Sequence, residues 1–479
     1  MLFNSIEFFI FLSAVFFIYW IILKENLKSQ NVLLLISSYL FYSWWDWRFL
    51  SLILISTLVD YLTGKKIFEN HDKLIRKAYL LASIIFNLGL LAFFKYFNFF
   101  IESWIILLDS IGYQQKSLWS LNIILPLGIS FYTFQTMSYS LDIYNKKIKP
   151  VKNFITFAVF VSFFPQLVAG PIERASNLIP QIQSNRYFKY KKGVKGLRLI
   201  LWGLFKKVAI ADRLAIYVNI IFNDYTSLNG GVLFLGLVYF TIQIYCDFSG
   251  YSDIAIGTAK LLGFDLKANF NFPLFAKNPV EFWKKWHISL TSWIRDYIYW
   301  PMALKTARKK SHYYRQYLNN IYIWILTGLW HGANYTFLFW GFYWGIVLFI
   351  YSIMRDKFSQ KDLIIGKNRM STIINLYKTF FMFLITGVSL IIFRSQTVDD
   401  SIQYLIRMFT NFGLPQSNRL GIFPILFFIV FEWLMKKDVL NPLSFDNIYI
   451  RYSVYIMLII VITCFSGNSD SIEFIYFQF

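Results

Sequence analysis

His331 is the residue whose type and position most directly suggest chemistry. It lies in LTGLWHGANYTFLFWG (326–341), within a long apolar segment. An ionisable side chain at membrane depth is costly and marks a functional site by default. Histidine suits proton transfer because its unperturbed pKa is about 6.5. Its small neighbours Gly328, Gly332 and Ala333 would let a substrate or another backbone approach the imidazole. The alternative is a buried histidine that hydrogen-bonds between helices.

His287 is a second candidate, in EFWKKWHISLTSWIRDYIYWP (281–301). Trp283, Trp286 and Trp293 surround it at near-helical spacing, next to basic residues. This pattern suits an interfacial helix that aromatic and basic side chains anchor at the lipid headgroups. It equally suits a second polar group that orients a substrate, and the residues alone leave both open.

The remaining histidines and the familiar catalytic motifs add no further site. His71 and His312 lie in basic connectors and are interpreted as solvated loop residues. The His-to-Asp spacing of soluble glycerol-phosphate acyltransferases is absent, because Ser292 and Thr336 stand five positions after the two candidate histidines. No GxSxG elbow, P-loop, dinucleotide fingerprint or HExxH motif occurs. We therefore expect neither a metal nor a bound cofactor.

Two carboxylates lie in an otherwise small and apolar stretch. Asp247 and Asp253 belong to YCDFSGYSDIAIG (245–257), whose small and hydroxyl residues predict tight packing against neighbouring helices. The carboxylates either form a structural network with Lys, Arg or backbone N–H groups, or line a proton or ion path. Cys246 and Cys464 form no CxxC motif and are interpreted as packing residues.

Composition shows which elements must carry these residues. The 479 residues are 57% hydrophobic, 21% aromatic and only 15% charged, and apolar runs long enough to span a bilayer recur throughout. The short alternating strands of a membrane β-barrel do not occur. We expect about eleven to thirteen helical crossings or re-entrant pieces. Some runs, such as 78–108, 231–263 and 319–354, are long enough for a hairpin or a tilted span.

The net charge of +21 indicates membrane topology rather than nucleic-acid binding. Short loops rich in Lys and Arg stay cytoplasmic. The basic connectors, which we expect in the cytoplasm and against anionic lipid, are Lys65–Lys77, Lys146–Lys152, Arg186–Lys195 and Lys305–Arg315. Part of this charge would steer an anionic cytosolic donor. The first apolar run resembles no cleavable signal, and Lys24 and Lys28 after it predict an N-terminus outside.

The segment from Phe264 to Pro301 differs from the lipid-facing runs. It is amphipathic, and Pro273, Pro279 and Pro301 favour helix boundaries or kinks. We expect interfacial or re-entrant structure that lines a cavity, because non-helical backbone at membrane depth must be covered by protein or water.

Several ordered blocks of the chain resemble the membrane-bound O-acyltransferases, and within them the alginate O-acetylase-like bacterial branch. The blocks are PLGISFYTFQTMSYSLDIY (126–144), FFPQLVAGPIERASNLIPQI (163–182), YCDFSGYSDIAIGTAKLLGF (245–264), NFPLFAKNPVEFWKKWHISLTSWIRDYIYWP (271–301) and LTGLWHGANYTFLFWG (326–341). The resemblance implies an all-α polytopic bundle with re-entrant or interfacial helices around a central tunnel. It also implies one membrane domain over 1–479, with a signature core at about 121–350, further helices at 372–465 and an aromatic tail at 474–479.

The family pattern also assigns roles. His331 matches its nearly invariant histidine and His287 its second polar position, and the two would meet in the tunnel. Trp330, Asn334, Trp286, Asp247 and Asp253 would line the tunnel or give structural support. The ending FIYFQF (474–479) resembles the aromatic, tyrosine-containing termini of envelope acylation systems. Tyr476 would then be an acyl relay, or else an aromatic anchor at the interface.

The resemblance leads to a hypothesis for the reaction. His331 would act as general base for a hydroxyl, such as that of Tyr476, which attacks a thioester such as acetyl-coenzyme A. His287 would orient the hydroxyl or stabilise the oxyanion. A secreted or membrane-anchored esterase-like partner would pass the group to a polysaccharide outside. The alternatives are D-alanyl transfer by the same fold, and a proton-coupled transporter or flippase.

Overall fold

The computed structural model describes residues 1–24, 26–113, 123–168, 170–307, 312–358, 369–436, 438–466 and 474–475. Within these ranges the chain is helical and contains no β-strand. In chain order the α-helices are α1 Ile6–Phe17, α2 Leu27–Ser43, α3 Leu50–Glu69, α4 Lys73–Ser110, α5 Ile129–Tyr144, α6 Phe154–Ser162, α7 Phe164–Leu167, α8 Ala175–Gln183, α9 Tyr190–Leu204, α10 Asp212–Asn223, α11 Gly230–Leu261, α12 Pro279–Lys285, α13 Ile288–Ile294, α14 Trp300–Ala307, α15 His312–His331, α16 Tyr335–Phe358, α17 Arg369–Arg394, α18 Val398–Thr410, α19 Ile422–Leu434 and α20 Ile448–Ser466.

Among the described residues, five helices are long and apolar enough to cross a membrane: Lys73–Ser110, Gly230–Leu261, Tyr335–Arg355, Thr372–Arg394 and Ile448–Ser466. Shorter apolar helices occur at Ile6–Ile22 and Phe154–Leu167. The long runs predicted at 78–108 and 231–263 are each one continuous helix, α4 and α11. The run at 319–354 is instead broken into α15 and α16. The predicted all-α polytopic fold is therefore confirmed.

The chain divides into two compact units. The first unit comprises Met1–Gly196 and Ala255–Lys267, and a buried carboxylate joins three of its helices. Asp60 of α3 accepts hydrogen bonds from Ser83 Oγ and, at 2.7 Å, from Asn87 Nδ2, both on α4. Ser140 Oγ of α5 lies 3.1 Å from the same carboxylate. Such hydrogen bonds hold helices together where the hydrophobic effect between them is weak.

The predicted basic connectors differ in exposure within this unit. His71, between α3 and α4, is exposed, as a solvated connector requires. Arg186 is buried, and its Nη2 lies 2.7 Å from Asn31 Oδ1. A buried guanidinium needs hydrogen-bond acceptors, and Asn31 supplies one here. The charge of Arg186 thus lies in the protein interior, unlike that of the exposed connector lysines.

The second unit comprises Leu197–Ile254 and Ala268–Phe479. Helices α9 and α11 cross closely in it, because a Cβ on Gly203 would lie 2.5 Å from the carbonyl oxygen of Gly250. A π-helical turn, Phe205–Ala211, follows this crossing and leads into α10. The tight packing predicted for the segment around Asp247 is thus observed.

The segment after α11 is a series of short helices. Pro273 begins a 3-10 turn and Pro279 begins α12, so both prolines mark the predicted boundaries. Helix α13 then continues through a π-helical turn at Arg295–Tyr299 into α14. Proline suits the first position of a helix because the N–H it lacks would have no intrahelical partner there.

Candidate active site

His331 is the last residue of α15, at the turn into α16. The two helices pack with almost no space between them. A Cβ on Gly328 would lie 2.1 Å from the carbonyl oxygen of Phe337, and one on Gly341 would lie 2.3 Å from that of Trp324. At Gly328 another backbone therefore approaches closely, and this approach positions the end of α15 that carries His331.

Aromatic rings surround the His331 imidazole, which is only 6% exposed. The ring centroids of Trp330, Trp340 and Phe393 lie 4.9, 5.0 and 5.4 Å from it, all in edge-on geometry. Phe393 comes from α17 and Trp340 from α16, so three helices supply this enclosure. A site enclosed in this way limits water and strengthens electrostatic interactions within it.

Trp330 contacts both candidate histidines. Its ring centroid lies 4.9 Å from that of His331 and 6.0 Å from that of His287. The structure therefore brings the two histidines to the same tryptophan, although 44 residues separate them in the sequence (331 − 287 = 44). Phe248 of α11 also packs against His287, at 4.7 Å between ring centroids.

His287 does not lie in an interfacial helix. Its backbone dihedral angles are φ 43° and ψ 53°. It is the N-cap residue of α13 and lies two residues after the end of α12. The side chains of Trp283, Trp286 and Trp293 are 9%, 6% and 3% exposed. An interfacial anchor would expose these rings to lipid, so that alternative is wrong. The left-handed backbone is unusual for a residue with a side chain, and such strain concentrates at functional sites.

Asn269 holds His287 in one orientation. The Oδ1 atom of Asn269 accepts hydrogen bonds from the backbone N–H of Ser289 at 3.2 Å and from Ser289 Oγ at 2.8 Å. The same oxygen lies 3.1 Å from His287 Nδ1. Because the backbone N–H can only donate, this atom is an oxygen, and His287 Nδ1 must carry the proton. A neutral ring with a proton on Nδ1 has an acceptor at Nε2.

Burial favours that neutral ring. His287 lies outside the five candidate spans, and burial holds the pKa of its imidazole well below the usual value. Asn269, which lies 18 positions before His287, was not predicted as a site residue. The available signal was the pair of amides, Asn269 and Asn271, in the aromatic stretch ANFNF (268–272), next to the block that carries the histidine.

Trp286 and Asn334 support the surrounding helices. Trp286 stacks on Phe282 at 5.5 Å and meets Phe270 edge-on at 5.2 Å. Asn334 Oδ1 accepts the backbone N–H of Thr336 at 3.1 Å, in the first turn of α16. Its Nδ2 donates to the carbonyl of Gln396 at 2.9 Å. Asn334 therefore ties the turn after His331 to the segment between α17 and α18.

Asp247 and Asp253 pair with buried lysines of the π-helical turn. Lys206 Nζ lies 2.7 Å from Asp253 Oδ2, and Lys207 Nζ lies 2.8 Å from Asp247 Oδ1. Lys207 also pairs with Asp212, at 2.8 Å. These contacts are the ones that a structural network would make. The two lysines were not predicted as site residues, although adjacent cations in the middle of the apolar run at 197–222 were a usable signal.

Comparison with known proteins identifies the family of the chain. The family model of the membrane-bound O-acyltransferases matches residues 39–395. The chain belongs to this family. It is 35% identical to the probable alginate O-acetylase AlgI of Pseudomonas aeruginosa, over 88% of this chain and 77% of that protein. It is 33% identical to the peptidoglycan O-acetyltransferase of Helicobacter pylori, over 73% and 70%.

A third relative is more distant. The teichoic acid D-alanyltransferase of Bacillus subtilis is 27% identical over 54% of this chain and 67% of that protein. The predicted resemblance, including its alginate O-acetylase-like branch, is confirmed. This member of the membrane-bound O-acyltransferase family is therefore a multi-pass O-acyltransferase of the bacterial inner membrane.

Within this membrane-bound O-acyltransferase, Tyr476 lies outside the described residues, but the two residues before it are described. Phe474 and Ile475 are 0% and 4% exposed. The backbone N–H of Ile475 donates to Asp247 Oδ2 at 2.8 Å. The chain thus returns to α11 immediately before the tyrosine.

Proposed function

We propose that this membrane-bound O-acyltransferase takes an acetyl group from cytosolic acetyl-coenzyme A for O-acetylation of an extracytoplasmic polysaccharide. The observation that carries the proposal is the pair of histidines on Trp330, at 4.9 and 6.0 Å between ring centroids, in a buried aromatic site. The names of the alginate and peptidoglycan relatives favour acetyl as the group and a glycan as the acceptor.

His331 is the general base of the proposed reaction. It takes the proton from a hydroxyl as the hydroxyl oxygen attacks the thioester carbonyl. A carbon–oxygen bond forms, a tetrahedral intermediate collapses and the carbon–sulfur bond breaks. The proton then passes from His331 to the departing thiolate, so the base is regenerated and coenzyme A leaves as the thiol on the cytosolic side.

His287 orients the hydroxyl in this mechanism. A neutral imidazole with its proton on Nδ1 accepts a hydrogen bond at Nε2 and donates none there. Such a ring can accept the O–H of the bound hydroxyl before the reaction, and the same single proton turns to His331 as the oxygen attacks, whereas stabilising an oxyanion requires a donor. The contact of Nδ1 with Asn269 at 3.1 Å therefore favours the orienting function over the oxyanion function.

The hydroxyl of Tyr476 is the proposed first acceptor. The acetyl group would rest on the tyrosine as an ester, and a secreted or membrane-anchored esterase-like partner would pass it to the polysaccharide. The observation in favour is that the chain before Tyr476 is buried at Phe474 and Ile475. Tyr476→Phe should abolish acetylation, while Tyr449→Phe, at a side chain 81% exposed, should leave it unchanged.

Acetyl-coenzyme A labelled in the acetyl group tests the proposal on the purified protein. We expect release of free thiol together with label bound to the protein. Flux of a solute driven by a proton gradient, without thiol release, would favour the transporter alternative. Labelling from a D-alanyl carrier-protein thioester but not from acetyl-coenzyme A would favour the D-alanyl alternative.

A further inference from the structure

The carboxylate of Asp247 has two different partners. Its Oδ1 pairs with Lys207 Nζ at 2.8 Å, and its Oδ2 accepts the backbone N–H of Ile475 at 2.8 Å. Asp247, Lys207 and Ile475 are 2%, 1% and 4% exposed. The charged group and the end of the chain are therefore in contact within the protein interior.

The balance of charge explains why a backbone N–H is useful there. Lys207 faces two carboxylates, Asp212 and Asp247, each at 2.8 Å. Asp247 therefore shares the charge of Lys207 with Asp212, and a buried carboxylate needs further hydrogen-bond donors. The neighbouring Lys206 pairs with Asp253 at 2.7 Å. A backbone N–H directed at a carboxylate forms a strong, charge-assisted hydrogen bond.

Aromatic contacts hold the same segment. The ring of Phe474 lies 4.3 Å from that of Tyr251 and 5.7 Å from that of Phe248, and its side chain is 0% exposed. Lys207 Nζ lies 5.8 Å from the centroid of Tyr251. Phe248 in turn contacts His287, at 4.7 Å between ring centroids. One turn of α11 thus contacts both the end of the chain and the candidate active site.

We propose that Asp247, charged through Lys207 and flanked by Phe248 and Tyr251, is a docking site for the C-terminal segment of the same chain. Its ligand is the backbone N–H of Ile475 together with the ring of Phe474. The site holds the residue before Tyr476, so it positions the hydroxyl that the proposed function requires. Asp247 is a positioning residue. The docking contact does not depend on the proposed relay, but the function of that contact rests on it.

Hydrogen exchange of the C-terminal peptide tests docking without any activity measurement. In the full chain in lipid nanodiscs, the Ile475 amide should exchange at least about 10-fold more slowly than an unprotected amide. Asp247→Ala should remove this protection, whereas Asp253→Ala, on the same helix and also paired with a buried lysine, should keep it. An unprotected Ile475 amide in the wild-type chain would overturn the proposal.

A second variant tests the site without changing its buried charges. Phe474→Ala removes a ring that lies outside the described helices. The substitution should speed exchange at Ile475 at least about 10-fold. Tyr449→Ala removes an exposed ring and should not. Unchanged exchange in Phe474→Ala would contradict the docking site. If the Ile475 amide is protected and the Tyr476→Phe variant still acetylates fully, the relay is refuted but the docking site is not.

Discussion

At the scale of single residues, the tautomer of His287 depends on one amide oxygen. Asn269→Ala removes the acceptor of Nδ1, so the proton can move to Nε2, and a donor then faces the hydroxyl. We expect kcat to fall about 100-fold, within the range that a positioned acid or base contributes, with little change in KM for the donor. Steady-state kinetics of thiol release measure both constants.

Two further variants separate this effect from stability. Asn269→Asp keeps an acceptor at the same position and should retain most of the activity that Asn269→Ala loses. Asn278→Ala removes the N-cap of α12, where Oδ1 accepts the Glu281 N–H at 2.8 Å, and should cost about 1 kcal/mol of stability with little loss of kcat. Equal losses in the alanine and aspartate variants of Asn269 would contradict the tautomer hypothesis.

At the scale of helices, the position of His331 depends on the approach of α15 to α16. A methyl group at Gly328 would lie 2.1 Å from the Phe337 carbonyl oxygen, so the helices must separate. Overpacking of this kind costs about 1–3 kcal/mol. We expect Gly328→Ala to lower both the thermal stability of the detergent-solubilised protein and its kcat, as measured by unfolding and by thiol release.

Gly89 is a matched control for that substitution. It also lies inside a helix, α4, but a Cβ there would meet no atom within 4 Å. Alanine favours the helix over glycine by about 0.5–1 kcal/mol. Gly89→Ala should therefore leave stability unchanged or raised and kcat unchanged. Equal effects at both glycines would show that close packing of α15 and α16 does not matter for the site.

The sequence predicts the long apolar helices, but it does not predict every break between helices. The apolar runs predicted α4 and α11 because a membrane span needs a continuous apolar stretch. The break at His287 was not predictable, because tryptophan spacing gives periodicity but no dihedral angles. Asn269 could not be paired with His287, since that contact depends on how the chain reverses between them. The partners of Asp247 likewise come from distant parts of the chain.

At the scale of the whole molecule, the net charge of +21 leads to a prediction for the binding of the proposed donor. Acetyl-coenzyme A is an anion, and the basic connectors, which we expect in the cytoplasm, would raise its local concentration. Salt screens this attraction. We expect the KM for acetyl-coenzyme A to rise about 3-fold to 10-fold between about 50 and 300 mM salt, with kcat nearly constant. A KM that does not change with salt would exclude steering by these connectors.

His331 is the proposed catalytic base, and its replacement tests this function most directly. His331→Ala should lower the acetyl ester content of the envelope polysaccharide at least about 100-fold, in cells where the variant inserts into the membrane at the normal level. His71→Ala removes an exposed histidine and should leave the ester content unchanged. Ester content within about twofold of the wild type in the inserted His331→Ala variant would contradict the catalytic role of His331.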